Sequence, residues 1–431
     1  MKSLRILFIT PYVPSLIRVR SYNFIKRLSL NGHRITVLAI CTSAQEAEDV
    51  ALLRNYCEQV ETVYVSLARS LWNCTRSFFT NQPLQASYCY SPLMQRLVQA
   101  ALNGKGPPRS LRNPGLARDS FDLVHVEHLR SVRFGLTIKD APCVYDSVDC
   151  ISLLLERARQ SGSTLSGGLK SRLDLKRTRR CESELPTQFS RILISAEDDR
   201  QALEKLSKNL GSRHGVLNGA RAEGKTGIIT VVPNGVDLNY FQPGNEPRDP
   251  ATLIYSGRMS YHANVHAALY LIREIMPLIW ARHPQAKLLI VGTCPPRTLR
   301  ELGDLYKPKI IVTGHVPDIR PYLLQATVSV SPLLYSVGCQ NKLLEAMATA
   351  TPVVTTSHAS KAIGARDGKH LLEANGSEMF ANKVAQLLED RDLQRQLGTE
   401  GRNYVESCCD WKTIVDHLET IYRSEINRFK D

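Results

Sequence analysis

Three polar residues at the start of a predicted helix have the types and the spacing to bind an anion together with a sugar. Asn341, Lys342 and Glu345 stand at i, i+1 and i+4, so Asn341 and Glu345 share a helix face and Lys342 is an i, i+3 neighbour of Glu345. The first turn of a helix behind a loop with Gly338 presents backbone N–H groups to an anion, and Lys342 adds a positive charge. The Glu345 carboxylate can accept hydrogen bonds from two hydroxyls, such as those of a ribose. An isolated Lys-x-x-Glu pair is usually a solvated ion pair, so the flanking elements must decide.

The residues around this helix predict a β-loop-α-β unit. Val328 and Val330 alternate with serines as in a short strand, and Pro332 ends it. Residues 341–349 are rich in Leu, Ala and Met, which favour a helix, and residues 353–356 read as the next strand. The unit spans about 30 residues, the size of a parallel crossover unit. This pattern places the three polar residues at a loop-helix junction that follows a parallel strand.

The composition is that of a globular protein with a surplus of positive charge. The 431 residues are enough for two domains, and 43% of them are hydrophobic and 22% charged. The net charge of +14 favours an anionic partner, such as a nucleotide sugar, nucleic acid or acidic phospholipid. Many bacterial enzymes are basic without such a partner, so the charge alone does not choose a function.

The cysteines and the apolar segments indicate a cytosolic protein. The 11 cysteines show no Cys-x-x-Cys pair and no accompanying histidine spacing, so neither a zinc site nor a disulfide framework is expected. A reducing cytosol is therefore the expected compartment. Residues 4–9 are too few and too interrupted by arginine for a signal peptide and predict a strand. No stretch reaches the roughly 20 apolar residues of a membrane span, and residues 267–280 are broken by Arg273 and Glu274.

The chain opens with a second β-loop-α-β pattern. Residues 4–10 and 34–40 predict strands, and residues 23–30 predict the helix between them. The loop 11–20 follows the carboxyl end of the first strand, where open α/β sheets bind ligands. It contains no glycine, which argues against a tight phosphate turn, so Arg18 and Arg20 are candidate side-chain donors to anionic groups. Solvated arginines at a helix start are an equal alternative.

Fewer signals follow in the rest of the first half. The expected elements are a helix at 44–56, a strand at 60–66, a surface loop at 103–119 and strands at 121–128, 144–149 and 191–195. Asp146 and Asp149 end one of these strands, and without a third ligand nearby we interpret them as loop anchors that can touch an acceptor.

Two further stretches have an unusual composition. Residues 170–180 carry six basic residues and one acid on a predicted helix, whose face is either solvated or directed at a membrane. Residues 208–227 contain five glycines and little apolar content, and they predict a flexible loop.

Several runs of the sequence resemble the GT-B glycosyltransferases of family 4, the group 1 type. These runs are VPNGVD at 232–237, GHVPD at 314–318, QNKLLEAMA at 340–348 and TPVV at 351–354. The resemblance covers nearly the whole second half and, more weakly, the first. It implies an α/β protein of two Rossmann-like domains that face each other across a cleft. Residues 1–240, with a C-terminal helix at 411–431 packed back on them, would bind the acceptor, and residues 248–408 would bind the donor.

The resemblance also implies a reaction. The family moves a sugar from a nucleotide-diphosphate sugar to an acceptor hydroxyl, with retention of anomeric configuration and without a metal or other cofactor. The implied setting is bacterial polysaccharide or glycolipid biosynthesis, with a carbohydrate or lipid-linked acceptor and no nucleic acid. The implied location is the cytoplasm, with peripheral contact at the inner face of the membrane as an option.

Site residues are carried over where the motifs match. His125 matches the histidine of the family's Asp-x-x-His strand, near the transferred sugar, and a hydrogen-bonded structural histidine is the alternative. Arg258 and Lys342 would neutralise the leaving diphosphate, and these two residues and His125 form the predicted catalytic set. The predicted donor-binding set is Gly257, Arg258, Gly292, Gly314, Gly338, Gln340, Asn341, Lys342 and Glu345. The predicted acceptor-binding set is Arg18, Arg20 and Asp149.

Two positions depart from the family pattern. Val337 stands where the family usually has a glutamate, eight positions before Glu345, and residues 259–264 lack the second cation of the diphosphate clamp. The run GCQNK at 338–342 resembles a subgroup with Gly-x-Gln-Asn-Lys at this place. The departures leave two alternatives open: a catalytically silent glycosyltransferase-like binding subunit, and a sugar-nucleotide epimerase of the same fold.

Overall fold

The chain forms two compact α/β units. A computed structural model describes residues 2–43, 46–103, 120–160, 169–213 and 228–431. Unit 1 comprises residues 1–156, 164–232 and 411–431, and unit 2 comprises residues 157–163 and 233–410. The chain therefore enters unit 2 after Val232, before the predicted boundary at 240.

Unit 1 contains a parallel sheet flanked by helices. Its described strands are β1 (Arg5–Thr10), β2 (Arg34–Cys41), β3 (Gln59–Tyr64), β4 (Leu123–Glu127), β5 (Cys143–Val148), β6 (Arg191–Ile194) and β7 (Ile228–Val231). The helices are α1 (Val19–Leu30), α2 (Glu46–Leu53), α3 (Leu67–Ser77), α4 (Leu84–Tyr88), α5 (Pro92–Leu102), α6 (Val132–Gly135), α7 (Ile151–Gln160), α8 (Leu169–Gln188), α9 (Glu197–Arg213) and α18 (Trp411–Lys430). The strand order is β3-β2-β1-β4-β5-β6-β7, and the first strand pairs with both β2 and β4 in parallel register.

Unit 2 repeats this plan. Its described strands are β8 (Thr252–Ser256), β9 (Lys287–Val291), β10 (Ile310–Gly314), β11 (Val328–Ser331), β12 (Val353–Thr355) and β13 (Leu372–Glu373). Its helices are α10 (His262–Tyr270), α11 (Met276–Arg282), α12 (Arg297–Leu305), α13 (Arg320–Gln325), α14 (Asn341–Ala348), α15 (Ser357–Ile363), α16 (Ser377–Glu389) and α17 (Arg391–Cys408), and a π-helical turn at Leu271–Ile275 joins α10 to α11. The strand order is β10-β9-β8-β11-β12-β13.

Each sheet has a topological switch point, where the strand order reverses. In unit 1 it lies between β1 and β4, and in unit 2 between β8 and β11. Ligands of open α/β sheets bind beyond the carboxyl ends of the strands at such points. The predicted β-loop-α-β unit is confirmed: β11 leads into α14 and pairs in parallel with β12, with Ser329 opposite Val353. Helix α14 thus begins beside the switch point of unit 2.

The C-terminal end of α14 is held by a half-buried arginine. The Arg248 guanidinium donates to the carbonyl oxygens of Leu323, Ala326 and Thr349 at 2.8–2.9 Å and to the Thr351 hydroxyl at 2.9 Å. Burial lowers the pKa of Arg248 to about 10. The positive charge at this end complements the helix dipole, so Arg248 fixes the helix whose other end carries Lys342.

Both faces of the unit 1 sheet are covered by apolar side chains. On one face α1 and α18 pack on the sheet, with Phe24 and Trp411 in edge-to-face contact and both nearly inaccessible. On the other face α5 and α6 pack against the strands through Met94 and Phe134. The last helix is therefore part of the unit 1 core.

Several expectations about elements need correction. Helix α1 begins at Val19, four residues before the predicted start, and α9 continues to Arg213, so residues 208–213 are helical and not a loop. Residues 214–227, and the predicted loop over 104–119, lie outside the described residues, as do 44 and 45 of the first predicted helix. The strand predicted at 191–195 is β6, and β7 pairs beside it as a further strand that was not predicted. Within the described ranges, no helix combines the length and apolar content that a membrane span requires.

Candidate active site

The side chain of Lys342 lies in a half-buried recess at the switch point of the unit 2 sheet. Its ammonium nitrogen donates to Asn264 Oδ1 at 2.6 Å and lies 3.4 Å from the Tyr255 hydroxyl. The same nitrogen stands 4.8 Å from the centroid of the Tyr255 ring. Tyr255 lies in β8 and Asn264 in the first turn of α10, so three elements meet at this charge. In the described part of the chain the ammonium forms no ion pair, which leaves its charge available to an anionic ligand.

Gly257 brings the backbone against that ammonium, and Gly292 packs directly behind Gly257. Gly257, which follows β8, has φ +151°, and a Cβ on it would lie 2.9 Å from Asn264 Nδ2 and 3.2 Å from Lys342 Nζ. A Cβ on Gly292 would lie 1.7 Å from the carbonyl oxygen of Gly257, which no side chain can tolerate. The Gly292 N–H in turn donates to the carbonyl oxygen of Gly314 at 3.2 Å. Gly257, Gly292 and Gly314 of the predicted donor-binding set are therefore neighbours at the carboxyl edge of the sheet, at the ends of β8, β9 and β10.

Burial shifts the pKa of both ionisable residues of α14 that were predicted to bind the donor. It lowers the pKa of Lys342 from 10.5 to about 7, against the opposing effect of the Glu345 charge. It raises the pKa of Glu345 from 4.5 to about 7, against the opposing effect of Lys342. Desolvation thus disfavours both charged forms, and a ligand that pairs with either charge would restore its ordinary pKa. An anion beside Lys342 and hydroxyls beside Glu345 are the partners that do this.

The loop before α14 is held by the other polar residues of the predicted set. The Asn341 side-chain oxygen accepts a hydrogen bond of 2.9 Å from Asn234 Nδ2, which joins the loop to the turn of the VPNGVD run. Gln340 Nε2 donates to the carbonyl oxygens of Val337 at 3.0 Å and Gly338 at 3.3 Å. Gly338 has φ +66°, a left-handed conformation that glycine adopts without strain. These hydrogen bonds and the Gly338 conformation fix the course of the loop that leads into α14.

Arg258 has its backbone in the site and its side chain at the surface. Its carbonyl oxygen accepts a hydrogen bond of 2.9 Å from Asn264 Nδ2, and the Oδ1 of the same Asn264 amide accepts from Lys342. Its exposed guanidinium donates from Nε to the Ser260 hydroxyl at 2.9 Å. The structure therefore brings together Gly257, Gly292 and Lys342, and it places the Arg258 charge at the exposed side of the same loop.

His125 is enclosed in the core of unit 1. Its side chain is fully buried, its Nδ1 shares a hydrogen bond of 2.7 Å with the Tyr422 hydroxyl, and its ring lies 4.6 Å from that of Phe8. Burial lowers the pKa of His125 to about 4, against the opposing charge of Asp146, so the imidazole is neutral at physiological pH. These are the contacts of the structural histidine that the sequence left as the alternative to a catalytic role.

The arginines of the first loop are already paired. Arg20 was expected either to reach an anionic ligand or to be solvated, but it is buried and forms a bidentate ion pair with Asp146, at 2.7 and 3.1 Å. The stacking of its guanidinium 4.7 Å above the Phe24 ring and the burial of Asp146 make this pair an internal link between α1 and β5. Arg18 is half-buried, lies 3.1 Å from a Glu46 carboxylate oxygen and stacks on Tyr12.

Asp149 follows β5 at the carboxyl edge of the unit 1 sheet. It is half-buried and accepts a hydrogen bond from the Ser195 hydroxyl at 3.2 Å. Burial and the neighbouring charge of Asp199 raise the pKa of Asp149 to about 7. Its carboxyl group therefore remains a candidate for contact with a hydroxyl of an acceptor.

Glu127 is a residue to which the sequence gave no role, although alternation placed it on the face of His125. It ends β4 at the switch point of unit 1, and its Oε1 accepts from the Tyr12 hydroxyl at 3.0 Å. Its Oε2 is buried and has no hydrogen-bond partner among the described residues. Burial, assisted by the charge of Asp146, raises the pKa of Glu127 to about 7. A carboxyl with that pKa can exchange a proton near neutrality. Its position as the last residue of a strand at the ligand-binding edge was the signal that could have found it.

Sequence reasoning also missed the partners of Lys342. The stretch 259–264 was noted only for lacking a lysine, yet it supplies Asn264, whose amide bridges Lys342 and the Arg258 carbonyl. Tyr255 was read as an ordinary strand residue. Neither residue type stands out in a sequence, because their role depends on a contact across 78 or 87 positions of the chain.

Comparison with known families identifies the segment that carries this site. Residues 250–390 match the family model of the glycosyl transferases group 1. This segment is therefore similar to the group 1 glycosyltransferase domains. It includes Gly257, Gly292 and Lys342, so the recess described above lies within the matched residues.

Curated relatives agree with the family match at low identity. The chain is 24% identical over 219 residues to a capsular polysaccharide biosynthesis glycosyltransferase of Staphylococcus aureus, which covers 46% of this chain and 56% of that protein. It is 22% identical over 330 residues to a D-inositol 3-phosphate glycosyltransferase of Nocardiopsis dassonvillei, which covers 71% of each. The chain spans about half the length of most of the curated relatives it matches.

Solved structures resemble the whole chain. A sucrose-phosphate synthase of Thermosynechococcus elongatus matches with a TM-score of 0.62 and 17% identity, over 98% of each chain. The Anabaena protein HepE, in complex with UDP and glucose, matches with a TM-score of 0.63 and 16% identity, over 98% of this chain and all of that one. These likenesses establish the fold as that of GT-B glycosyltransferases, with two Rossmann-like α/β domains.

Proposed function

We propose that the protein is a glycosyltransferase that moves a sugar from a nucleotide-diphosphate sugar to an acceptor hydroxyl. The observation that carries the proposal is the desolvated ammonium of Lys342, held by Asn264 and Tyr255 beside Gly257 at the switch point of unit 2, with no ion pair among the described residues. A diphosphate is the group that fits a desolvated cation beside a helix N-terminus. The Glu345 carboxyl, one turn further into α14, then holds the ribose hydroxyls.

The roles of the cationic groups follow from the place where negative charge develops during sugar transfer. Departure of the nucleoside diphosphate leaves an oxocarbenium-like sugar, and the leaving oxygen gains charge in the transition state. Lys342, the N–H groups at the start of α14 and the nearby Arg258 would stabilise that charge. Transfer with retention and without a metal is the form of the reaction that we propose, with no cofactor beyond the donor.

The acceptor is proposed to bind unit 1. A carbohydrate or lipid-linked hydroxyl compound is the expected class, in bacterial polysaccharide or glycolipid biosynthesis. Asp149, with its pKa near 7, offers a hydroxyl contact, whereas Arg20 is committed to Asp146. The Anabaena structure was solved with UDP, so UDP-sugars are the first donors to test.

Thermal unfolding with UDP, GDP and ADP tests the donor site. A nucleotide at 100 times its dissociation constant should add about 2.7 kcal/mol to the free energy of unfolding. The stabilising nucleotide is then supplied as a sugar-labelled donor together with acceptor candidates. Stabilisation that disappears in Lys342→Ala, followed by sugar release only when acceptor is present, supports the proposal.

The two alternatives predict other results from the same experiment. Nucleotide stabilisation without any sugar release supports a silent binding subunit, for which the buried Val337 in place of the family's glutamate is the argument. Conversion of the nucleotide sugar without an acceptor supports an epimerase. Absence of stabilisation by every nucleotide refutes the proposed donor site.

A further inference from the structure

Two adjacent cysteines at the end of helix α17 in unit 2 have their sulfur atoms in contact. The Sγ atoms of Cys408 and Cys409 lie 3.5 Å apart, although neighbouring side chains of a helix normally point away from each other. Cys408 is half-buried beside the exposed Ser407, whereas Cys409 is 4% exposed and belongs to the core of unit 2. We call Cys408 and Cys409 the thiol pair. One member of the pair is accessible from solvent, and the other lies directly behind it.

The thiol pair differs chemically from other cysteines of the chain. All eleven cysteines lie in the described ranges, and each carries a thiol. The hydrogen bond from the Cys409 thiol lowers the pKa of Cys408, against the opposing effect of burial, and the same bond raises the pKa of Cys409. Burial raises the pKa of other cysteines, among them Cys57 and Cys143. Because the thiolate is the reactive form of cysteine, Cys408 is the member of the pair that reacts first.

The backbone at the thiol pair is connected to the start of α14. The Cys409 carbonyl oxygen accepts from the Val236 N–H at 2.8 Å, and Val236 also forms a β-bridge with Asp410. Two residues before Val236, Asn234 Nδ2 donates to the Asn341 side-chain oxygen at 2.9 Å. Two hydrogen bonds and the turn of the VPNGVD run therefore join the backbone at Cys409 to the helix of the proposed donor site.

We propose that the thiol pair is an oxidation site, which a hydroperoxide converts to a disulfide that weakens donor binding. The Cys408 thiolate attacks a peroxide oxygen, the O–O bond breaks, and Cys408 becomes a sulfenic acid while hydroxide leaves. The Cys409 sulfur then attacks the Cys408 sulfur, the S–O bond breaks, and the Cys409 proton leaves with the hydroxyl group as water. Two thiols and one hydrogen peroxide thus give one disulfide and two water molecules.

The spacing of the pair makes this disulfide easy to reduce. Consecutive Cα atoms are about 3.8 Å apart, whereas the Cα atoms of disulfide-bonded residues are usually about 4.4–6.8 Å apart. A ring closed over a single peptide bond is therefore strained, and strained disulfides are the ones that are readily reduced. Closure also rotates the peptide group whose Cys409 N–H donates to the Val405 carbonyl oxygen at 2.9 Å. We expect the disulfide to break that hydrogen bond and to displace the Cys409 carbonyl from Val236.

The effect on donor binding rests on the proposed function, whereas the oxidation itself does not. Once Val236 is released, the turn of the VPNGVD run holds Asn341 less firmly, and the loop before α14 is less well fixed for the nucleotide. We expect the Kd of the stabilising nucleotide to rise about fivefold, the scale of one lost hydrogen bond. A dithiol reductant should restore the original Kd.

Peptide mapping tests the oxidation. The full chain is treated with hydrogen peroxide, its remaining thiols are blocked with N-ethylmaleimide, and the protein is digested with trypsin. Cleavage after Arg402 and Lys412 releases residues 403–412, a peptide that contains Cys408 and Cys409 and no other cysteine. We expect this peptide to lose the mass of two hydrogen atoms and to take up no maleimide, at a lower peroxide concentration than any other cysteine needs to react.

Serine variants separate the thiol pair from the other thiols. Cys408→Ser should abolish both the disulfide and the response of the nucleotide Kd to peroxide. Cys409→Ser should stop the reaction at the sulfenic acid of Cys408, which dimedone traps. The matched control is Cys294→Ser, at an exposed cysteine of the same unit, which should leave the disulfide and the peroxide response as in the wild type.

The proposal is overturned by either of two results. A disulfide that joins residues 403–412 to the peptide of Cys339 would place the bond outside the thiol pair. An unchanged nucleotide Kd after complete formation of the disulfide would show that the pair is not coupled to α14. The proposed function fails separately, because it predicts nucleotide stabilisation of the reduced protein, and without that stabilisation the peptide map still decides whether the pair is oxidised.

Discussion

The affinity for a donor should depend on pH through Lys342. Burial holds the pKa of its ammonium at about 7 in the free protein, whereas an ammonium beside a bound diphosphate should regain a pKa near 10.5. Binding therefore takes up a proton whenever the free lysine is neutral. By linkage, the Lys342 contribution should raise the apparent Kd about tenfold at pH 8 and about 100-fold at pH 9, relative to the protein with Lys342 protonated, while Glu345, whose pKa is also about 7, is largely ionised in that range. The sign is that of weaker binding as pH rises.

Calorimetry measures this proton uptake directly. At pH 8 about nine tenths of a proton should be taken up per nucleotide bound, which appears as a dependence of the binding enthalpy on the ionisation enthalpy of the buffer. A nucleotide sugar is the suitable ligand, because its diphosphate has no terminal phosphate that titrates in this range. The titration is repeated from about pH 7 to about pH 9 to follow the affinity.

Two variants separate Lys342 from other groups. Lys342→Arg keeps a guanidinium that stays charged throughout, so proton uptake should disappear while some affinity remains. Lys342→Met should abolish both the uptake and most of the affinity. Proton uptake that persists in Lys342→Met would show that another group titrates and would refute the reasoning.

Four further changes test the site and its support. Glu345→Gln should weaken nucleotide binding by about 1.5–3 kcal/mol through loss of a charge-assisted hydrogen bond, and an unchanged Kd by calorimetry would remove Glu345 from the ribose. Gly292→Ala should push the Gly257 carbonyl away and weaken nucleotide binding at least about tenfold. The control Cys294→Ala, at an exposed residue, should leave the Kd unchanged. Equal Kd values for the two variants would contradict the close approach of Gly292 to Gly257. Arg248→Met should lower the free energy of unfolding by about 2–4 kcal/mol in urea titrations, because the guanidinium contacts that join the end of α13 to Thr349 and Thr351 after α14 are lost. A loss below about 1 kcal/mol, the scale of a single hydrogen bond, would speak against this role. Chelation with EDTA should leave the initial rate of sugar transfer unchanged, and a rate restored by added divalent cation would refute the metal-independent reaction.

The sequence predicted the elements whose signals are local. The unit of β11, α14 and β12 could be read from alternating valines, helix-forming residues and two prolines, with Gly338 marking the loop before the helix. Helices α3 and α5 were not predicted. The buried side of α3 is formed by Ser70, Asn73 and Ser77 and lacks the apolar period that reveals a helix, whereas α5 buries Met94, Leu97, Val98 and Ala101 at helical spacing, a signal that was present and was missed. In α9 the glycine at 211 suggested a loop, but the helix continues through it to Arg213.

The site residues also divide into those with a local sequence signal and those without one. Lys342, Gly257 and Gly292 were predicted from motifs, and the structure places them together. The partners that set their chemistry are distant in sequence: Asn264 contacts Lys342 across 78 positions, and Asp146 pairs with Arg20 across 126. No local sequence pattern predicts such a pair. Arg20 was therefore interpreted as a donor to an anionic ligand or as a solvated residue, although its charge is paired with Asp146 inside unit 1.

The place of α18 in unit 1 has a consequence for synthesis of the chain. Trp411, Tyr422 and their neighbours complete the core around β1, α1 and His125, yet the ribosome makes them after residues 233–410 of unit 2. Unit 2 is nearly continuous in sequence and can close its own core while α1 still lacks its cover. The part of unit 1 that is made first must therefore keep an apolar face exposed until residues 411–430 have been made, and aggregation competes with folding in this interval.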